Sequence, residues 1–363
     1  MKLVSLFSGA GGLDLGFEKA GFETVFANEY DRTIWSTFRA NFPGATLDER
    51  SIVDIPASDV PEVDGLIGGP PCQSWSEAGA HRGIEDQRGQ LFYEYIRILK
   101  HVKPRFFLAE NVSGIISSRH RGAFEAILER FGNLGYRVSH QMLRASDFGV
   151  PQDRDRVIVV GIRKDLRIDF EFPQPAGPAL TLRQAIGDMP QPLPNPSLSA
   201  RVDHPRVPNH EYLVGGFSSI YMSRNRVRTW SEPSFTIQAG ARHAPLHPRA
   251  PRMEKVGVDK FRFVPGKESL YRRLSVRECA RIQTFPDSHK LCYERIIDGY
   301  KMMGNAVPVN LAFHLATAVE RCVGKATQRR SARSKSHGTV TASTARRKTK
   351  SRDREHPSLF QGN

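Results

Sequence analysis

The chain reads as an α/β protein in two unequal parts, a nucleotide-binding half followed by a smaller, mostly irregular half. Three observations predict this. Residues 2–21 give an apolar strand, a glycine turn and a short helix, the opening of a nucleotide-binding α/β unit. Apolar runs at 24–27, 64–67, 105–109, 137–143 and 157–162 then alternate with helical periodicity at 90–101 and 121–131, the texture of a largely parallel sheet. From about 170 to 199 the chain turns Pro-rich, through PQPAGP and PQPLPNPS, which marks the boundary between the halves.

Composition sets the outer limits. A chain of 363 residues is long enough for a large core and, on length alone, for two domains. With 39% hydrophobic and 25% charged residues it is neither disordered throughout nor built for a membrane. No apolar run approaches the roughly 18 residues of a membrane span, and the start MKLVSLFSG is too short for a secretory core; a cytoplasmic protein is expected. The cysteines, Cys72, Cys279, Cys292 and Cys322, form no CxxC pair, which argues against zinc or any other metal site and against a disulfide framework. A net charge of +15 points to a polyanionic partner. Much of it sits at the end, where 324–363 hold 11 Lys/Arg against 2 Asp/Glu. Poor in apolar residues, this tail is expected to be disordered and to add salt-dependent affinity for such a partner.

Each element carries its own signal. After strand 2–7, Gly9, Gly11 and Gly12 form a turn that lets the charged part of a ligand approach the backbone and the following helix N-terminus. The dinucleotide fingerprint needs a further glycine at position 14, where Asp14 stands; a nicotinamide cofactor is therefore disfavoured. Strand 24–27 runs into Glu29, where a carboxylate would accept hydrogen bonds from ribose hydroxyls. Strand 64–67 ends at Gly68-Gly69, and Pro70-Pro71 then stiffen the backbone in front of Cys72. A loop-borne thiol held this way is a candidate nucleophile, although a single cysteine is more commonly structural. Strand 105–109 delivers Glu110 to the same edge of the sheet. The charged segment 81–88 is a candidate lid. Helix 90–101 turns Leu91, Tyr95, Ile98 and Leu99 inward. Arg154 and Arg156, two apart on an extended segment, are expected to point to one side, suited to a phosphate or a base carbonyl.

Residues 201–270 mix arginines with aromatics: Tyr221, Arg224, Arg226, Arg228, Trp230, Phe235 and Arg242. Such a segment suits a surface that reads guanines, whose O6 and N7 accept a bidentate guanidinium, with about half the arginines expected on phosphates instead. Residues 275–285 read as a capped helix and 309–322 as a final helix, apolar on one face.

Six blocks carry a resemblance: FSGAGGLDLGF at 7–17, GGPPCQSWSEAG at 68–79, ENV at 110–112, QDRDR at 152–156, RECARIQTFPD at 277–287 and GYKMMGNAVPVN at 299–310. In these residues and their order the chain resembles the DNA (cytosine-5) methyltransferases, most nearly the type II restriction-modification enzymes that recognise GGCC. The resemblance implies a Rossmann-like, S-adenosylmethionine-dependent methyltransferase domain over 1–168, completed by 300–323, and a smaller, mostly irregular or β target-recognition domain over 169–299. It implies a cofactor site lined by Phe7, Gly9, Gly11, Glu29, Tyr30, Pro70, Leu91, Asn305 and Val307. The family usually has an Asp-Ile pair at the adenine. By distance to Cys72 the matching residues are Ser51 and Ile52, with Asp54-Ile55 as the alternative. In the second half Arg224, Arg226 and Arg242 would contact bases, with Ile220 packing near the DNA.

The chemistry follows from the substrate. C5 of cytosine is a poor nucleophile, and addition of a Cys72 thiolate at C6 would carry electron density to it. Glu110 is expected to serve N3, Arg154 the O2 or thiol side, and Arg156 to orient. Stacking shields C6, so the base must leave the duplex. The implied partners are double-stranded DNA and a separately encoded restriction endonuclease acting on the same site, the chain itself working as a monomer. Three other readings remain: a tRNA cytosine-5 methyltransferase, against which the long Arg/aromatic segment argues; a DNA-binding protein without catalysis; and an NAD-dependent oxidoreductase resting on the glycine turn alone.

Overall fold

The computed structural model describes residues 1–71 and 90–324. Cys72, the candidate lid 81–88 and the basic tail from 325 onward lie outside the described residues. Seven strands form one sheet, β1 (Lys2–Leu6), β2 (Glu23–Asn28), β3 (Thr46–Asp48), β4 (Gly65–Gly68), β5 (Phe106–Val112), β6 (Tyr136–Arg144) and β7 (Asp155–Arg163), in the order β3-β2-β1-β4-β5-β7-β6. Strands β1 to β5 are parallel and β7 runs against both its neighbours. The winding reverses between β1 and β4, so a crevice opens beyond their carboxyl ends, where ligands of open α/β sheets bind.

Apolar runs explain the sheet. Leu3, Val4 and Leu6 of β1, Leu66 and Ile67 of β4, and Phe106 to Ala109 of β5 are all buried, as strands covered on both faces must be. One face packs against helix Gly12–Lys19 and the helix 309–324; the other packs against helices Gln90–Val102 and Arg121–Asn133. Gly12 and Gly16, one turn apart, bring the last helix close. A Cβ at Gly16 would lie 2.3 Å from the Ala312 Cβ, and one at Gly12 would lie 2.2 Å from the Val307 carbonyl oxygen. The end of the described chain thereby returns to its beginning. β5 continues past its expected end to Val112, so Glu110 sits within the strand, and the sequence reading assigns neither β3 nor the helix Arg32–Asn41, which Asp31 caps through Thr33.

Between residues 170 and 295 the strands are short: β8 (Leu193–Asn195) with β9 (Glu211–Leu213), and the hairpin β10 (Glu254–Gly257) with β11 (Lys260–Arg262). Helices Leu182–Ile186 and Val276–Ile282 each start with a capping box, Thr181 with Gln184 and Ser275 with Glu278. Few ladders leave many carbonyls to satisfy. Buried arginines do this: Arg273 donates to the carbonyls of Leu213, Gly215, Gly216 and Arg242 and lies 4.1 Å over the Phe217 ring. Helix Ile296–Asn305 joins the two regions, with Gly304 against the backbone at Gln238 and Ala239 and Lys301 paired to Asp31 at 2.5 Å. Among the described residues no helix is long and apolar enough to cross a membrane.

Candidate active site

The crevice begins where β1 turns. Phe7, Gly9 and Gly11 have φ of 56°, 56° and 77°. The left-handed region costs glycine little, whereas at Phe7 it costs about 1–2 kcal/mol. A Cβ at Gly9 would meet nothing within 4 Å, whereas one at Gly11 would lie 2.1 Å from the Phe42 ring, so the turn is open at Gly9 and packed at Gly11. Beside it the Glu29 carboxylate accepts from the Gly9 amide at 2.9 Å and the Asp31 amide at 2.7 Å, and Trp35 Nε1 donates to the Glu29 carbonyl at 2.8 Å. Burial pushes the Glu29 carboxyl up, against the pull of those amides. Tyr30 is 71% exposed. The Ser8 hydroxyl is buried with no partner among the described residues, which leaves it available to a ligand.

Ser51 opens the turn Ile52–Asp54 and makes no side-chain cap bond. Asn28 Nδ2 fixes this approach by donating to the carbonyls of Asp48 and Arg50, and Arg97 Nη2 donates to Ile52 at 2.8 Å and Ile55 at 2.9 Å. Ile52 is only 2% exposed, packed in the core with Ile55. The expected stacking face of Ile52 is therefore not offered here; the apolar requirement of the core takes it. Asp54 is exposed and Leu91 packs at the edge of the same core. Across the crevice, Asn305 is exposed and Val307 is buried in the core that holds the last helix. An open glycine turn, an unpartnered buried hydroxyl, a carboxylate and an exposed aromatic ring fit a nucleoside-bearing cofactor with a charged tail.

Glu110 and Arg156 form the second focus. Gly68 pairs with Ala109 across β4 and β5, which sets Gly69 beside Glu110; a Cβ there would lie 3.1 Å from Glu110 Oε2. The missing side chain leaves room for the carboxylate. Arg156 Nε meets Glu110 Oε1 at 2.7 Å, with both side chains about one-tenth exposed. Val112 faces Arg156 and Glu110 faces Ile158 in the β5–β7 register, so the pair is a cross-strand diagonal. Asn111 Nδ2 donates to the Pro70 carbonyl at 2.9 Å and ties the Pro-Pro step to the same strand. Cys72 follows directly, outside the described residues.

Two expectations for arginines change. Arg154 does not point with Arg156: it is 2% exposed and donates to the carbonyls of Ile237, Gly304 and Ala306 at 3.0, 2.8 and 3.0 Å. Strand alternation fails because Arg154 precedes β7, and its donors are claimed by one carbonyl of the irregular half, at Ile237, and two at the end of helix Ile296–Asn305. Arg226 is also turned inward, its Nε on the Tyr221 carbonyl at 2.9 Å and an Nη on that of Ile220 at 3.0 Å. It holds the turn that presents Ile220, which is 72% exposed. Arg224 and Arg242 remain exposed. Asn111, Arg97 and Gln152 escaped the sequence reading; nothing local in their spacing announces long-range partners.

Residues 1–321 match the model of the family described as C-5 cytosine-specific DNA methylase. The chain is 56% identical over 327 residues to the Type II methyltransferase M.NgoPII of Neisseria gonorrhoeae, across 88% of this chain and 96% of that one. To the Type II methyltransferase M.FnuDI of Fusobacterium nucleatum it is 55% identical over 325 residues, across 88% and 94%. In fold it is similar to a solved structure of Spodoptera frugiperda DNMT2, with a TM-score of 0.64 at 19% identity over 88% of this chain and 99% of that one.

Proposed function

The chain belongs to the C-5 cytosine-specific DNA methylase family, and from that premise we propose that it methylates the inner cytosine of GGCC in duplex DNA, protecting the site from a separately encoded endonuclease. The observation that carries the reading is the Glu110–Arg156 pair, 2.7 Å apart, beside the Gly69-Pro70 step that leads to Cys72. The GGCC assignment is supported by the likeness of residues 218–248, SSIYMSRNRVRTWSEPSFTIQAGARHAPLHP, to the readers of GGCC-specific enzymes, with exposed Ile220, Arg224 and Arg242 as the contacting side chains.

The residues divide the work as follows. The Cys72 thiolate adds to C6 of the extruded cytosine, and the displaced electron pair passes toward C5. Glu110 shares a proton with N3, relieving charge on the ring, while Arg156 holds the carboxylate in line. Arg154 braces the QDRDR segment through the carbonyls of Ile237, Gly304 and Ala306. When bound, S-adenosylmethionine supplies the methyl group that C5 takes up. Glu29 and Tyr30 would hold its ribose and adenine, Ser51 the adenine edge, and Phe7, Gly9, Gly11 and Asn305 its amino-acid end. A base then removes the C5 proton, the electrons return to the ring and the sulfur leaves. Residues 169–299 act as the reading half, the tail adds salt-dependent affinity, and one chain suffices.

Plasmid prepared from cells expressing the protein is expected to resist GGCC-cutting endonucleases, and plasmid from cells expressing Cys72→Ala to be cut. Cutting of both would remove the GGCC assignment; resistance with both would remove Cys72 from the mechanism.

A further inference from the structure

Arg228 belongs to the reading segment, yet it pairs with the QDRDR segment at 152–156. Its Nη2 meets Asp153 Oδ2 at 2.6 Å and its Nη1 meets Glu232 Oε1 at 3.2 Å. The guanidinium lies 4.2 Å over the Phe235 ring, which leaves it one orientation. Glu232 is itself held by Thr229 and Arg252. One end of this assembly is therefore rigidly part of the reader, two residues from the Arg226 that supports the Ile220 turn.

The other end is the QDRDR segment. The Asp153 amide donates to the Ser234 carbonyl at 2.8 Å, and its carbonyl accepts from the Thr236 hydroxyl. Gln152, fully buried, accepts from the Ile237 amide and donates to Gln283, each at 2.9 Å. Arg154 donates to the Ile237 carbonyl. Three residues after Asp153 comes Arg156, paired with Glu110. Backbone bonds and the side chains of Gln152, Arg154 and Thr236 fix the segment's path; among the described residues the Arg228–Asp153 pair is the side-chain ion pair that joins the reading segment to it.

We infer that Arg228 is a positioning residue that, through Asp153, sets the Glu110–Arg156 pair according to how the reading segment is seated on DNA. The inference rests on the reading of residues 218–248 as the DNA-contacting surface. A reader that merely binds would affect affinity alone, whereas one tied to the catalytic carboxylate affects the rate after binding.

The test uses the full chain and a duplex carrying the sequence that the wild-type protein methylates, mapped first by bisulfite sequencing; a mapped sequence other than GGCC would overturn the target assignment and leave this inference standing. Arg228→Lys, Asp153→Asn and the double variant are compared for kcat, for duplex Kd by anisotropy, and for extrusion of a 2-aminopurine at the target position. Each single variant is expected to lose about tenfold or more in kcat with Kd within about threefold, and the double variant to be no slower than the slower single. Asp165→Asn, which breaks the exposed Arg163–Asp165 pair at the far end of β7 from Arg156, is the comparator and is expected to keep kcat within about twofold. If Arg228→Lys does not fold, Asp153→Asn against Asp165→Asn decides alone. Multiplying defects, a loss confined to Kd, unchanged kcat, or equal loss in Asp165→Asn would overturn the inference.

Discussion

The sheet region and the irregular region solve the same problem by different means. In the sheet, backbone groups pair with one another and apolar strands fill the layers, so charged residues are left for the crevice. Between 170 and 295 ladders are few, and guanidinium groups take their place: Arg273 serves four carbonyls there and Arg226 two, while Arg154, reaching from before β7, takes one there, at Ile237, and two more at Gly304 and Ala306. An arginine at the crevice, such as Arg156, is a candidate for chemistry; one in the second region, or one that reaches buried carbonyls as Arg97 and Arg154 do, is part of the scaffold. Leaving a buried carbonyl unsatisfied costs about 1–3 kcal/mol, which is enough to hold an arginine inward against the pull of DNA.

Substitutions can break this comparison. The largest effect is expected at Glu110, where Glu110→Gln should lower kcat by about 100- to 10,000-fold with duplex affinity retained in anisotropy titrations. Next, Arg154→Met should cost about 3–5 kcal/mol in urea unfolding by stranding several carbonyls, and a comparable loss is expected for Arg273→Met; a loss below about 1 kcal/mol in both would refute the bracing role. The sheet region carries its own buried charge. Asp14 accepts from Thr24 Oγ1 at 3.1 Å, its Oδ2 has no hydrogen-bond partner among the described residues, and burial pushes its carboxyl up from 3.8 to about 7. The folded chain thus holds a proton that the unfolded chain gives up near pH 4. Stability from this group is present below that pH and lost as pH rises through 7, a decline of roughly 4 kcal/mol. Urea midpoints should therefore favour Asp14→Asn over wild type at pH 8, and the gap should close by pH 4. The smallest effects belong to the exposed arginines. Arg224→Ala and Arg242→Ala should change unfolding by less than about 0.5 kcal/mol and weaken discrimination among duplexes by about 1–3 kcal/mol, whereas Arg226→Ala should lose stability.

The same contrast sets what the sequence could reveal. Apolar runs near residues 4, 66 and 107, the glycine turn and the carboxylate at 110 were legible because strand periodicity and turn chemistry are local. That Glu110 would meet Arg156 was half legible: the family blocks named both, but the register of β5 against β7 made the contact. The inward turns of Arg154 and Arg226 were not legible, since their partners lie 83 and more residues away or depend on a turn without periodicity. The burial of Ile52 and the donation of Arg97 to its carbonyl were likewise not legible, since Arg97 stands 45 residues away on another helix.

One measurement bears most directly on the central claim, that Cys72 bonds to an extruded cytosine with help from Glu110. A duplex carrying 5-fluorocytosine at the target position, incubated with protein and S-adenosylmethionine, blocks proton removal from C5 and so retains the sulfur bond. A denaturation-resistant protein–DNA adduct is expected with the wild-type chain, much less of it with Glu110→Gln, and none with Cys72→Ala. An adduct of undiminished yield in Cys72→Ala would contradict the account.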